Sequence, residues 1–217
     1  MLPFHGILYI DIAMVSSRLL FFLSAILILI VQAIAQLPLL SYYCLNDNGN
    51  YTNNSIYETN LNQLLSSLYT NTEIDYGFYN SSYGQNSDEV YAIGLCRGDF
   101  KPDVCRSCLK NSKENLTRLC PNQKEAIGWN DHCMLRNSNR SSIFGTVETD
   151  PYFVLWNTKN VSTNYLDKFN DALRTLLEKL RSEAKAGDSF RKYAAGNAIL
   201  PDFMTLYALV QCTPNLS

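Results

Sequence analysis

One run of closely spaced cysteines constrains this chain more than any other feature. Three of the seven cysteines lie within Cys96-Arg-Gly-Asp-Phe-Lys-Pro-Asp-Val-Cys105-Arg-Ser-Cys108, with the spacing C-x8-C-x2-C. A strand-like apolar run ends at Cys96, Gly98 and Pro102 mark a turn, and a helix-like run follows. Such cysteines form disulfides, bind a metal or act as a redox pair, and the cellular compartment decides among these roles.

Residues 1–35 predict a secretory signal peptide. Leu19 to Val31 is a nearly continuous apolar run that follows Arg18, and the small residues Ala33 and Ala35 mark the exit. A membrane span needs about 20 apolar residues, and this run is shorter, so an anchor is the less favoured interpretation. We expect the mature chain to begin near Gln36 and to carry no other membrane anchor.

Secretion places all seven cysteines, at positions 44, 96, 105, 108, 120, 133 and 212, in an oxidising compartment. Disulfides are therefore favoured over metal ligands. The same route allows N-glycosylation at Asn-x-Ser/Thr sites. The candidates are Asn50, Asn53, Asn80, Asn115, Asn139, Asn160 and Asn215. Without Arg18 and Asp11, the 18 basic and 20 acidic residues become 17 and 19. That balance gives no basic field for nucleic acid or an anionic membrane.

Residues 36–150 predict a mixture of helices and strands after a polar, turn-rich opening segment at 36–60. Leucines at 61, 64, 65 and 68 follow the period of an amphipathic helix. Asp103 is placed to cap a second helix that runs to Leu119. The predicted strands are Asp75–Tyr79, Val90–Leu95, Ala126–Trp129, Cys133–Arg136 and Phe144–Val147, with a turn at 80–88.

Residues 151–217 repeat this pattern. A helix is predicted over Leu166–Leu180 and closed by Gly187, and strands are predicted at Phe190–Ala194 and Phe203–Gln211. The segments 90–96 and 206–212 share Tyr-Ala-(Ile/Leu)-x-x-Cys at an offset of 116 residues. The helices share Leu-Leu-x-x-Leu at an offset of 112. The sequence therefore predicts one domain at 36–150 and a second copy at 151–217.

The second copy is expected to be incomplete. Cys212 stands where Cys96 stands in the first copy, and the partners equivalent to Cys105 and Cys108 would fall four and seven residues after Ser217. We therefore expect Cys212 to be unpaired. Such a half-domain is expected to aggregate or to form a homo-oligomer through that thiol.

The cysteine pattern resembles the ginkbilobin-type cysteine-rich domain of plants, also called the salt stress response/antifungal domain. The C-x8-C-x2-C run, Cys44 upstream and the segment Trp129 to Arg136 carry the resemblance. The Tyr-Ala-Leu-Val-Gln-Cys-Thr-Pro-Asn-Leu-Ser ending strengthens it. The tandem arrangement is similar to plant cysteine-rich repeat secretory proteins and to the ectodomains of cysteine-rich receptor-like kinases.

The resemblance implies an α+β fold, in which an antiparallel five-stranded sheet packs with two helices and three disulfides, followed by a truncated second copy. The implied pairs are Cys44–Cys120, Cys96–Cys105 and Cys108–Cys133. The residues alone leave all fifteen connectivities of six cysteines open.

One relative with this fold binds mannose through an Asn after the first cysteine, an Arg seven residues after the fifth and a Glu five after the sixth. Here these places hold Leu45, Ile127 and Ser138. The side chains of Leu45 and Ile127 cannot hydrogen-bond a sugar hydroxyl, so mannose binding in this mode is not expected.

Two alternatives for the cysteines remain open on spacing alone. Cys105 and Cys108 have the C-x-x-C spacing of a redox pair at a helix start. With Cys120, Cys133 and His132 they could also hold zinc. Secretion favours structural disulfides, so we expect neither a metal nor a cofactor.

No catalytic motif is present in the sequence: there is no G-x-S-x-G, H-E-x-x-H or Gly-rich phosphate loop. His132 is the one histidine after the leader and is interpreted as a strand-edge residue. Arg97-Gly98-Asp99 spells an adhesion tripeptide, to which no function is assigned because three residues recur by chance. We expect no catalytic residues, and the sequence does not identify the binding residues.

The sequence thus predicts a non-enzymatic extracellular recognition module of plant stress or defence, secreted to the apoplast. Its expected partner is an extracellular protein or a cell-wall carbohydrate. One alternative is a fragment of the ectodomain of a cysteine-rich receptor-like protein kinase, on the outer side of the plasma membrane. Another is a mannose-binding antifungal lectin-like protein.

Overall fold

The computed structural model describes residues 19–24, 39–73, 75–146, 150–158, 160–187, 191–200 and 204–214. The chain divides into two compact units, residues 1–37 and 38–217. Residues 19–24 of the first unit are helical and exposed, and the rest of the predicted signal peptide lies outside the described residues. Within the described ranges, no helix has the length and apolarity needed to cross a membrane.

The second unit begins with a five-stranded antiparallel sheet. Its strands are β1 (Ser41–Cys44), β2 (Phe78–Tyr83), β3 (Val90–Cys96), β4 (Ala126–Trp129) and β5 (Cys133–Ser138). The spatial order is β1-β4-β5-β3-β2. Two helices, α1 (Ile56–Thr70) and α2 (Pro102–Leu119), pack with the sheet. These elements confirm the predicted α+β fold.

The local sequence explains where the helices begin. The Ser55 hydroxyl accepts a hydrogen bond from the Glu58 N–H at 3.2 Å, and so caps the first turn of α1. Pro102 opens α2, where its missing N–H removes no intrahelical bond. Asp103 lies in the first turn of α2 rather than at the cap, which is Lys101. The predicted capping role of Asp103 is therefore wrong, although its charge suits the helix dipole.

The core lies between the two helices and one face of the sheet. The leucines that predicted α1 are all buried there, together with five of the cysteines. The disulfides are Cys44–Cys120, Cys96–Cys105 and Cys108–Cys133, with Cα–Cα distances of 5.4, 5.6 and 6.1 Å. These are the pairs that the family resemblance implies. In the chain-entropy account, the 76-residue separation of Cys44–Cys120 contributes about 4.5 kcal/mol and the nine-residue separation of Cys96–Cys105 about 2.5 kcal/mol.

After the sheet, a third helix packs on a hairpin. The helix is α3 (Leu166–Ala186), and the hairpin strands are β6 (Tyr193–Ile199) and β7 (Thr205–Gln211). Their small core contains Leu176, Leu180, Ala184 and Ala194. The pairing of Tyr193 with Gln211 in the hairpin corresponds to the pairing of Phe78 with Leu95 in the first domain. The predicted offset of 116 residues places Gln211 at the position equivalent to Leu95.

The positions of several strands differ from the sequence predictions. β1 was not predicted, because Ser41–Cys44 lies in a polar segment and becomes a strand only by pairing with Ala126–Trp129. β2 is shifted from Asp75–Tyr79 into the predicted turn, since residues 80–83 pair with β3 through backbone groups while their side chains are exposed. Such an edge strand shows little apolar alternation in its sequence.

Two further strand predictions are corrected. Residues 144–146 do not form a strand, because a 3₁₀ turn at Ser141–Ile143 leads into Gly145 at φ 84°, a conformation that favours glycine. Val147 lies outside the described residues. The strand predicted at Phe190–Ala194 begins at Tyr193 and continues to Ile199, because its apolar residues are small alanines that gave only a weak pattern.

Candidate functional site

A groove lies where the turn after β3 meets the outer face of the β6–β7 hairpin. Its volume is about 510 Å³. The first domain contributes Arg97 and Asp99, and the hairpin contributes Tyr193, Asn197, Tyr207 and Leu209 as its largest lining side chains. The groove therefore combines one ion pair, phenol and amide groups, and apolar surface, the mixture typical of ligand sites.

The cysteine run Cys96–Cys108 holds the first wall of the groove. The Cys96–Cys105 disulfide closes the turn, and the Arg97 N–H donates to the His132 carbonyl at 2.9 Å. The Phe100 N–H donates to the Arg97 carbonyl at 3.1 Å. These bonds fix the turn against the end of β5 before any ligand arrives.

Gly98 allows the hairpin to approach this turn closely. A Cβ added to Gly98 would lie 2.6 Å from the Cβ and Cγ atoms of Tyr193. From the hairpin, Gln211 Nε2 donates to the Cys96 carbonyl at 2.6 Å. Glycine is thus required at position 98 for contact between the two walls rather than for its backbone angle.

Arg97 and Asp99 form a two-pronged ion pair at the rim. Arg97 Nη2 lies 2.7 Å from Asp99 Oδ2, and Nε lies 3.2 Å from Oδ1. The guanidinium also lies 4.8 Å from the centre of the Phe100 ring. The side chains of Asp99 and Arg97 are 40% and 35% exposed. Solvent therefore screens their attraction, and the pair orients polar groups more than it stabilises the fold.

The pair also sets the charge state of the groove. The hydrogen bond to Asp99 raises the pKa of Arg97. Partial burial pushes the pKa of Asp99 upward, but its hydrogen bonds, chiefly from Arg97, outweigh that effect and leave the pKa below its usual value. Burial, followed by the negative charge of Asp99, raises the pKa of Tyr193. Near neutral pH the groove therefore presents a salt bridge beside a neutral phenol.

These groups suit recognition better than covalent chemistry. The ring of His132 lies 4.2 Å from that of Phe100. The backbone N–H of His132 donates to Asn130 Oδ1 at 3.2 Å, so this residue belongs to the turn between β4 and β5. Cys105 and Cys108 each bond to a cysteine outside the C-x-x-C pair. In the described ranges, no group of three or more His, Cys, Asp or Glu side chains is arranged to hold a metal ion.

The remaining predicted sites lie away from the groove. Cys212 is a free, exposed thiol next to Arg181 and Lys185. Among the glycosylation candidates, Asn50, Asn53, Asn80 and Asn160 are exposed, Asn139 is half-buried and Asn115 is buried. Asn215 lies outside the described residues.

Two of the three mannose positions are hydrogen-bonded to Glu125, and the third is buried. The Leu45 N–H donates to the Glu125 carbonyl at 3.0 Å, and the Ser138 hydroxyl donates to Glu125 Oε2 at 2.9 Å. Ile127 is 5% exposed and Ser138 is fully buried. Their polar groups are therefore already engaged, which argues against sugar binding in the mannose mode.

The sequence did not identify the groove residues. Arg97 and Asp99 belong to a tripeptide that was assigned no function. Tyr193 and Asn197 belong to no motif, and Tyr207 belongs to the repeated Tyr-Ala-(Ile/Leu)-x-x-Cys segment, which indicated a repeat and not a site. One usable signal is the alternation along β7, where Tyr207 and Leu209 are exposed while Leu206, Ala208 and Val210 pack towards α3.

A profile of the salt stress response/antifungal domain family matches residues 43–140. Similar curated proteins include cysteine-rich receptor-like protein kinases 29 and 26 of Arabidopsis thaliana, which are 46% and 42% identical over 173 and 179 residues. The alignments cover 79% and 82% of this chain but 25% and 27% of those kinases. The chain thus spans about a quarter of the length of these relatives.

Two crystal structures share the fold. They are the tandem DUF26 ectodomains of the cysteine-rich receptor-like proteins PDLP8 and PDLP5 of Arabidopsis thaliana, with TM-scores of 0.67 and 0.60 and sequence identities of 24% and 26%. The matches cover 83% and 82% of this chain and 80% of each ectodomain. The arrangement of α1, the sheet, α3 and the hairpin is therefore one already seen in extracellular proteins.

Proposed function

Since residues 43–140 belong to the salt stress response/antifungal domain family and the chain is homologous to cysteine-rich receptor-like kinases, we propose that it is a non-enzymatic extracellular recognition module. The groove between the Arg97–Asp99 turn and the hairpin is the ligand site of that module. Its ligand is an extracellular protein or a cell-wall carbohydrate, and its setting is plant stress or defence.

The observation that carries this proposal is the combination of groups in the groove. Charged, phenolic and amide side chains converge on about 510 Å³ of space that a disulfide-closed turn borders. Preformed sites of this kind bind without a large ordering cost. Tyr207 is 76% exposed, and such accessible aromatic side chains supply rigid contact area.

A binding screen tests the proposal. The purified chain is probed against an oligosaccharide array and an array of recombinant plant ectodomains. We expect a binder whose affinity falls at least about tenfold, equivalent to 1.4 kcal/mol, in Asn197→Ala or Tyr207→Ala. Tyr83→Ala serves as the control, because Tyr83 is 41% exposed at the end of β2 that pairs with Val90, whereas the groove turn follows the opposite end of β3. Binding that all three variants retain equally would contradict the groove as the site.

The route to the cell exterior is part of the proposal. A signal peptide is removed near Gln36, and the chain reaches the apoplast with glycans on exposed sites. Expression in plant cells, followed by N-terminal sequencing of protein from the medium, tests this step. A chain retained in the cells with an intact N-terminus would contradict it.

A second proposal is favoured by the kinases that align with this chain. In it, the same module is the ligand-binding part of a receptor-like protein kinase on the outer side of the plasma membrane. The identity of 46% across 79% of the chain supports this alternative. Sequencing of the full-length transcript distinguishes the two, because the kinase alternative requires an apolar span and a G-x-G-x-x-G-x-V loop after the ectodomain.

A further inference from the structure

The dipeptide Asn48-Gly49 has the sequence that favours deamidation, and it occurs once in the chain. Asparagine is among the thermolabile residues, and a following glycine has no Cβ to hinder the reaction. The backbone nitrogen of Gly49 bonds to Cγ of Asn48, and the side-chain nitrogen leaves as ammonia with the Gly49 proton. Water then opens the cyclic imide, which gives aspartate or its isomer with the side-chain carboxyl in the backbone.

The fold holds both reacting groups in other hydrogen bonds. Asn48 ends the 3₁₀ turn Asn46–Asn48, and its Nδ2 donates to Glu125 Oε2 at 2.7 Å. The Gly49 N–H, whose nitrogen would attack, donates to the Asn46 carbonyl at 3.2 Å. Ring closure requires an aligned, close approach of the reacting atoms. The Asn48 side chain must therefore leave Glu125, and Gly49 must leave Asn46, before the reaction can start.

Backbone hydrogen bonds also fix the segment after this turn. The Lys124 N–H donates to the Gly49 carbonyl at 3.1 Å, and the Tyr51 N–H donates to the Asn122 carbonyl at 2.8 Å. These bonds join the turn to the chain that enters β4. Opening the turn costs the free energy of all of them together, so the reactive state is populated only during local unfolding.

The aspartate product does not fit the closed turn. Glu125 is fully buried, and its Oε2 already accepts from Ser138 Oγ at 2.9 Å and Arg140 Nε at 3.0 Å. An aspartate at position 48 brings a second negative oxygen to the place of the Asn48 donor. Arg136 and Arg140 offset part of the added charge, but neither supplies the proton that Nδ2 places between the two oxygens. Like charges at this distance oppose closure.

We propose that Asn48 is a deamidation site which the native turn protects, and that its modification keeps the turn from closing again on Glu125. Each opening exposes the Asn48-Gly49 dipeptide to reaction. Each reaction removes the donor that closes the turn, so transient openings become permanent. The isomeric product acts in the same direction, because it adds a methylene to the backbone of the turn.

The first test measures where the reaction occurs. The full chain carrying Cys212→Ser is kept at mildly alkaline pH, either in buffer or in urea that unfolds it by circular dichroism, without reductant. Peptide mapping by mass spectrometry follows the replacement of the Asn48 amide by a carboxyl group. We expect deamidation at Asn48 to be at least about tenfold slower in the folded chain.

The second test measures what the product does. Asn48→Asp carries the product charge, and Asn46→Asp is the matched control, because Asn46 is exposed on the same turn. We expect the urea midpoint to fall by at least about 0.5 M in Asn48→Asp and by no more than about 0.2 M in the control. If Asn48→Asp is not secreted, the chain deamidated in urea and returned to buffer takes its place. Amide exchange in residues 45–51 should then be faster in its modified fraction than in its unmodified fraction.

The two tests bear on separate parts of the proposal. Equal deamidation of Asn48 in the folded and the unfolded chain overturns the protection. Equal urea midpoints for Asn48→Asp and Asn46→Asp overturn the charge conflict with Glu125, and so does equal amide exchange in the two fractions of the returned chain. Slow reaction in the folded chain, together with a lowered midpoint for Asn48→Asp alone, supports the assignment of Asn48.

Discussion

Replacing Glu125 by glutamine should destabilise the first domain more than any other single charge change among its described residues. The carboxylate is fully buried, and five donor groups reach it. Arg136 Nη2 lies 2.5 Å and Arg140 Nη2 lies 2.9 Å from Oε1. The groups that reach Oε2 are Asn48 Nδ2 at 2.7 Å, Ser138 Oγ at 2.9 Å and Arg140 Nε at 3.0 Å.

The magnitude follows from removing the negative charge of the buried Glu125–Arg136 ion pair. The Arg136 side chain is only 10% exposed, and removing one partner of a buried pair costs about 3–5 kcal/mol. The glutamine amide also brings N–H donors into a site that already contains five hydrogen-bond donor groups. We therefore expect the free energy of unfolding, from urea titration at pH 7 without reductant, to fall by about 3–5 kcal/mol.

Glu183→Gln provides a matched control for this substitution. Glu183 forms an i,i+4 pair with Lys179 at 3.8 Å, and the two side chains are 50% and 69% exposed. Such a pair contributes about 0.3–0.5 kcal/mol, so the control should lose no more than that. A loss below about 1 kcal/mol for Glu125→Gln would refute the account of a buried, paired carboxylate.

The pH dependence of the same site has a definite sign. Burial raises the pKa of Glu125, but hydrogen bonds from Arg140, Arg136 and Ser138 outweigh it and hold the pKa below its ordinary value of 4.5. A depressed folded-state pKa contributes stability that is complete above the ordinary value and is lost as the pH falls through the folded value. The difference between the native chain and Glu125→Gln should therefore be constant near neutrality and shrink in acid.

Three further predictions concern the junction, the thiol and the glycans. Gly98→Ala should weaken the contact of the hairpin with the first domain by about 1–3 kcal/mol, since the added Cβ overlaps Tyr193; faster amide exchange in β6, with α1 unchanged, would show it. Ellman's reagent should titrate one thiol per native chain and none in Cys212→Ser, because the other six cysteines are paired; a second reactive thiol would contradict the pairing. Peptide mapping should find Asn80 glycosylated and Asn115 bare, because Asn115 is 9% exposed in α2 and accepts a hydrogen bond from Arg118; a glycan at Asn115 in folded protein would contradict its burial.

Helices and central strands could be predicted because their sequence periods match their burial. Leu61, Leu64, Leu65 and Leu68 repeat at helical spacing and are all buried, and the apolar run Val90–Cys96 became the strand paired on both edges. The edge strands were missed or shifted, because β1 and most of β2 are held by backbone pairing and bury few side chains. Periodicity reports burial, so a strand without burial leaves little trace in the sequence.

The groove could not be predicted from the sequence, because its residues are distant in the chain. Arg97 and Tyr193 are almost a hundred positions apart in the chain, and no motif joins them. Their approach depends on a missing Cβ at Gly98 and on a bond from Gln211 to the Cys96 carbonyl. Each of these features is ordinary in the sequence and becomes meaningful only when β6 and the turn after β3 are adjacent.

The sequence by itself indicated most helices and central strands through apolar periodicity, and its cysteine spacing carried the resemblance that implied the α+β fold. The tertiary structure alone decided which polar groups converge. It buried Glu125 among two arginines and placed the Arg97–Asp99 pair beside the hairpin. Contacts of this kind join residues distant in the chain, so they depend on distances that no local pattern records.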